Sequence, residues 1–254
     1  MRYKVLACEV FFREVCLLAA RSPHTIDLEF LPKGLHDLGV DRMRPRLQAR
    51  IDAVDTPCDA VCLVYGLCNN GIAGLVAREA PLVIPRAHDC ITLFLGSRDC
   101  YREHFEGRPG TYYLTTGWME HADSEGAGED NVCQRLGLSF QYDELVARYG
   151  QDNADYIMET LGDQTRHYDR MAYIDMGLDC EAPFRAAARR RADEKQWAFE
   201  VIPGSLDLLR KLLCGPWDDD ILVIPPGGSI APSHDACVMQ AQNADGRSNA
   251  AGES

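Results

Sequence analysis

From residue 3 to residue 117 the chain alternates short apolar runs with stretches of helical spacing, and this restricts the fold more than any other feature. The runs at 3–8 (YKVLAC), 26–32 (IDLEFLP), 59–66 (DAVCLVYG), 81–86 (PLVIPR) and 111–117 (TYYLTTG) have the length and apolar or β-branched content of strands. Between them, residues 11–20, 36–54, 70–79 and 89–106 carry apolar side chains at helical intervals. Pro45 should start or kink the second of these, and Asp89 is placed to cap the last. Strands joined by crossover helices predict an α/β fold with a doubly wound, mostly parallel sheet.

The alternation continues more loosely in the second half. Residues 141–163 have a helical pattern, 170–177 read as a strand, 182–196 as a helix, 197–204 as a strand, 205–215 as a helix and 219–228 as a strand. This division suggests two related Rossmann-like lobes with a cleft between them. They would be an N-terminal lobe over 1–120 and a C-terminal lobe over 141–233, separated by an exposed loop at 121–140. The segment from 234 to 254 has no periodicity and reads as a disordered tail.

A formal net charge of -13 argues against nucleic acid or an anionic membrane surface as partner, since both require clustered Lys and Arg. The basic cluster Arg189–Arg191 is followed at once by Asp193 and Glu194, as on a solvated helix face. No run approaches the roughly 20 apolar residues of a membrane span. MRYKVLACEVFF passes directly into a strand pattern without a cleavage signal, so a cytoplasmic protein is expected. The 11 cysteines are then expected as reduced thiols. Cys16, Cys58, Cys62 and Cys214 fit the role of small core hydrophobes.

Three other cysteines follow strand ends: Cys8 in KVLACE, Cys68 in YGLCNNG and Cys90 in PRAHDC. Open α/β sheets bind ligands beyond the carboxyl ends of their strands. Cys8, Cys68 and Cys90, with His88 as a fourth donor, could hold zinc, and three cysteines could also hold an iron–sulfur cluster with one open iron. Cys68 would open a helix whose dipole favours its thiolate. In the same neighbourhood Arg86 could bind an anionic substrate, Asp89 could orient His88, and Glu9 or Glu120 could handle protons. Asn69 and Asn70 could hydrogen-bond a substrate, and Trp118 could wall a cofactor or substrate site. Each of these polar residues also has an ordinary structural role available to it.

YGLCNNG, IPRAHDCITLFLGS, GTYYLTTGWME and GSLDLLRKLLCGPWDDDILVIPPG together resemble an uncharacterised prokaryotic family catalogued as domain of unknown function number 1638. The resemblance extends over about residues 3–230. It implies Cys8, Cys68, Arg86, His88, Asp89, Cys90 and Trp118 as signature positions, and an association with corrinoid-dependent methyltransferase systems. The leading expectation is a metal-dependent enzyme of methyl or other one-carbon transfer acting on a small molecule. A metal-free hydrolase or acyl transferase would instead use Cys68 as nucleophile and His88 as base. The third possibility is a non-catalytic protein that binds or delivers a cofactor.

Overall fold

A computed structural model of the chain describes residues 1–37, 40–68, 70–121, 151, 168–233, 235 and 237–243. The expectations for a loop at 121–140 and a helix at 141–163 lie almost wholly outside the described residues, as does most of the tail. Five strands form the main sheet: β1 (Arg2–Cys8), β2 (Thr25–Leu31), β3 (Ala60–Val64), β4 (Leu82–Pro85) and β8 (Ile221–Ile224). Their spatial order is β2-β1-β3-β4-β8. The first four are mutually parallel, while β8 runs antiparallel to β4 with Leu82 opposite Ile224. Thus a strand from the C-terminal half completes the sheet built by the N-terminal half. A second, parallel sheet contains β5 (Thr111–Leu114), β6 (Arg170–Asp175) and β7 (Ala198–Pro203). The protein is a mixed α/β molecule with a mostly parallel central sheet, as the alternation of its sequence predicts.

The two-residue period of the strands divides the core. Val5, Ala7, Cys62 and Val64 point to one face. There they meet Val15 and Leu18 of α1 (Phe12–Arg21) and Phe94 of α4 (Cys90–Leu95). Ala172 and Ile174 of β6 join the same cluster, so the second sheet backs onto it. Leu6, Val61, Leu63 and Ile84 point to the other face. They pack on Met43, Leu47 and Ile51 of α3 (Val40–Asp52), which follows the short α2 (Gly34–Asp37), and on Ile230 and Met239. Burial on both faces explains why β3 is an unbroken apolar run rather than an alternating one.

Several local expectations are revised. Residues 70–79 form turns rather than a helix. Cys68 and Asn70 have φ of 47° and 68°, and Gly74 has 83°, so the chain turns through left-handed backbone that a right-handed helix excludes. Its apolar residues Ile72, Leu75 and Ala77 still enter the second core face. The segment 89–106 divides into α4 and α5 (Arg98–Gly107), because Gly96 adopts φ 77° and Ser97 caps a new helix by accepting from Cys100 N–H. The α3 helix begins at Val40 and carries Pro45 inside it. Thr115 caps a further short helix, α6 (Thr116–Glu120). Residues 239–242 lack a sequence period, yet they form β10 (Met239–Gln242), paired antiparallel with β9 (Ser229–Pro232). The remaining helices are α7 (Ala182–Glu194) and α8 (Asp207–Cys214).

Candidate functional site: a thiol-lined cavity

The strand order places a topological switch point between β1 and β3. After β1 the chain enters α1 on the first core face, and after β3 it enters the 70–77 turn on the second. The crevice between such diverging connections is the usual ligand position of an open α/β sheet. Cys8 ends β1, Cys68 lies in the turn after β3 and Cys90 begins α4 after β4. These are neighbouring strands, and all three cysteines line one cavity of about 20 Å³. Val10, Phe11, Lys33, Tyr65, Gly66 and Trp118 complete its wall.

The loops carrying Cys68 and Cys90 are tied together. Leu67 N–H donates to Ala87 C=O at 2.8 Å, and Cys68 N–H donates to His88 C=O at 2.9 Å. Gly66 is required where they cross, since a Cβ there would lie 2.6 Å from Asp89 Cα. Asp89 caps α4 through Oδ1, which accepts from Thr92 N–H at 3.0 Å, and its Oδ2 accepts from the Tyr101 hydroxyl at 3.0 Å.

Burial pushes the Cys68 thiol up to about 12 and raises Cys90 well above its ordinary value. Nearby negative charge adds to both shifts, from Asp89, from Cys8 and from each other's sulfur in the case of Cys90. The expected helix dipole at Cys68 is absent, so its acidity moves opposite to the sequence expectation. Backbone N–H groups of Gly66 and Cys90 favour a Cys68 thiolate, as the Trp118 indole favours one at Cys90, but burial outweighs both. In this state the Cys68 and Cys90 thiols are neutral. Among the described residues, no group of three or more His, Cys, Asp or Glu side chains is placed to hold a metal ion.

Two buried donors on this wall lack a well-formed hydrogen bond: the Tyr65 hydroxyl, and the Trp118 indole N–H, which has the Cys90 thiol beside it. Cys8, Cys68 and Glu9 lie close enough to raise the Tyr65 hydroxyl well above its usual range, behind the larger effect of burial. Lys33 is only 7% exposed, and its Nζ lies 4.7 Å from the centre of the Trp118 ring. Its backbone N–H donates to Glu9 Oε1 at 2.7 Å, which fixes the loop after β2 against the end of β1.

The cavity opens beside a larger groove of about 720 Å³. Cys68, Cys90 and Trp118 belong to both. Asn70, His88, Asp89, Tyr101, Tyr113 and Tyr168 line the groove further out. The His88 ring stacks on Tyr101 at 5.7 Å, and Tyr101 stacks on Phe105 at 5.6 Å. His88 is exposed and lies outside the inner cavity wall.

Other expected site residues have structural partners elsewhere. Arg86 donates to the carbonyls of Cys237 and Met239 and anchors the β9–β10 hairpin. Glu120 forms a two-pronged ion pair with Arg13, and Glu9 Oε2 lies 3.5 Å from His121 Nδ1. Neither carboxylate lines the cavity or the groove. Asn69 lies outside the described residues. Sequence reasoning missed Tyr65 and Lys33, although each follows a strand end, the same signal that singled out the cysteines.

The fold and the cavity define a doubly wound α/β protein with cysteines gathered at its switch point. The chain belongs to the family described as protein of unknown function (DUF1638), whose model matches residues 30–213. That span includes Cys68, His88, Cys90 and Trp118 and begins after Cys8. No curated protein and no solved structure matches the chain. Among the described residues, no helix is long and apolar enough to cross a membrane.

Proposed function

We propose that this protein is a metal-dependent enzyme in which Cys8, Cys68 and Cys90 hold a single zinc ion at the inner end of the substrate groove. The observation that carries the reading is the convergence of three cysteines from neighbouring strands on one cavity of about 20 Å³. A cavity that holds one water needs about 10–15 Å³, so this one suits a single ion better than an iron–sulfur cluster. Thiolates are preferred zinc ligands, and a centre with three protein ligands leaves one position for substrate. Binding of an ion there would release the thiol protons. Bound there, zinc would supply Lewis acidity that makes a substrate thiol or hydroxyl nucleophilic.

The groove has a volume in the range of small-molecule sites and rich aromatic lining. Asn70 and His88 are among its polar groups, whereas Asp89 is engaged with α4 and Tyr101. Methyl or other one-carbon transfer is the reaction class we propose, with a corrinoid system as the partner suggested by the family resemblance. Covalent catalysis by Cys68 has less support, because its thiol is held neutral and His88 lies on the groove rather than at the cavity.

Metal analysis of anaerobically purified protein tests the reading. Near-stoichiometric zinc is expected in the wild type, with strong loss in Cys8→Ser, Cys68→Ser and Cys90→Ser. A wild type that neither retains nor takes up divalent metal would refute the metal centre. A loaded protein that turns over no methyl donor would instead point to cofactor delivery.

A further inference from the structure

We infer that Tyr65, Trp118 and Lys33 form a donor wall that hydrogen-bonds and charge-balances the three sulfurs once a divalent ion is bound, an inference that rests on the metal-centre reading above. The structure contains a mismatch that metal binding would remove. Tyr65 is 4% exposed and its hydroxyl has no acceptor, while Trp118 is half-buried and its indole N–H has only the Cys90 thiol beside it. Buried donors of this kind are rare in folded proteins, and a neutral thiol is a weak acceptor. A metal-bound thiolate is a charged acceptor, and charge-assisted hydrogen bonds are about twice as strong as neutral ones.

Position pairs the donors with the sulfurs. Tyr65 and Trp118 line the same cavity as Cys8, Cys68 and Cys90. Backbone N–H groups of Gly66 and Cys90 serve Cys68 in addition. Donors and sulfurs therefore share one wall. Charge is matched as well. Three thiolates and a divalent ion leave one net negative charge, and the Lys33 side chain lines the cavity with its ammonium over the Trp118 ring. Among the described residues, no carboxylate forms an ion pair with that ammonium. The wall therefore favours a divalent ion with three thiolates over a trivalent one.

Cobalt(II) titration of metal-free protein tests the donor wall, because cobalt reports sulfur ligation through its charge-transfer bands. Tyr65→Phe and Trp118→Phe are each expected to weaken cobalt affinity about tenfold or more, the usual effect of removing a partner of a metal ligand. Both should also shift the sulfur-to-cobalt band to lower energy, since a thiolate without its hydrogen bond gives up electron density more easily. Lys33→Met should weaken affinity similarly. Tyr65→Phe should at the same time leave the metal-free protein as stable as the wild type or more so, since it removes an unpartnered hydroxyl. Opposite signs for metal-free stability and metal affinity are not expected of a side chain that only packs. Wild-type affinity and an unshifted band in both Tyr65→Phe and Trp118→Phe would overturn the donor wall while leaving the metal centre intact. Failure of the wild type to bind cobalt would overturn the metal centre, and the donor wall with it.

Discussion

Gly66→Ala is the sharpest test of how the backbone assembles the cavity. The added methyl would lie 2.6–2.7 Å from the backbone N, Cα and C of Asp89, whereas ordinary contact begins near 3.4 Å. The two loops must therefore part by about 0.8 Å, from 2.6 Å to 3.4 Å. That motion would stretch Leu67 N–H to Ala87 C=O from 2.8 to about 3.6 Å, and Cys68 N–H to His88 C=O from 2.9 to about 3.7 Å. Both values exceed the range of a hydrogen bond. Overpacking of this kind costs about 1–3 kcal/mol, and each lost hydrogen bond about 1 kcal/mol. Because the strain can relax into one of these terms instead of both, about 3 kcal/mol is expected. For a chain of this size that corresponds to a fall of about 6–12 °C in Tm. Cys68 and Cys90 would separate by the same motion, so metal content should fall together with stability. Thermal unfolding and metal analysis of the purified variant measure both effects. A Gly66→Ala protein with wild-type Tm and wild-type metal content would refute the claim that close backbone approach sets the sulfur geometry.

Two further expectations concern buried ionisable groups. Glu14 is 1% exposed, both its oxygens lack hydrogen-bond partners, and burial raises its carboxyl from 4.5 to about 7. The folded state holds this proton more tightly than the unfolded chain, so stability is full below about pH 4.5, falls as pH rises and levels off above about pH 7. Glu14→Met should remove about 3 kcal/mol of this pH-dependent loss, read as the difference between urea unfolding at pH 5 and at pH 8; an unchanged difference would refute it. Native thiol labelling at pH 8 followed by peptide mapping should modify the exposed Cys237 rapidly, the half-buried and protonated Cys68 and Cys90 slowly, and Cys62 only after denaturation. Cys68 reacting first would contradict its neutral state and favour covalent catalysis.

The strands were legible because burial on both faces writes itself as continuous apolar residues, as in AVCLV at β3. The helix expected at 70–79 failed for a physical reason. Ile72, Leu75 and Ala77 have spacings that suit a helix, but any chain path that delivers them to the core satisfies the same pattern. The left-handed residues Cys68, Asn70 and Gly74 selected a turn instead. The antiparallel insertion of β8 beside β4 could not be read locally, since it pairs residues more than 130 positions apart. The same limit applied to Cys8, whose approach to Cys68 depends on β1 lying beside β3. Polar residues chosen for reactivity divided by geometry. Arg86 and Glu120 met partners outside the cavity, whereas Tyr65 and Lys33, ordinary in sequence, lie on its wall.

Unpartnered buried groups in this protein fall into two kinds, and the difference bears on function. Glu14 can lower the penalty of burial by keeping its proton, and its raised pKa expresses that escape. Tyr65 and Trp118 have no such escape. Their hydrogens stay polar at any physiological pH, and an unmet buried donor costs about 1–3 kcal/mol. Phenylalanine at position 65 would avoid that penalty with nearly the same shape. The penalty makes physical sense if an acceptor enters from outside the chain or is created there by ligand binding. The walls of the cavity limit the candidates to its three sulfurs and whatever the cavity admits, because Val10, Phe11 and Gly66 contribute no polar side chain. A cation that turns the sulfurs into thiolates would place charged acceptors on the same wall as both donors. The proposed metal centre and the proposed donor wall thus rest on one arrangement. Tyr65→Phe separates them, because it alters the wall and leaves every sulfur in place.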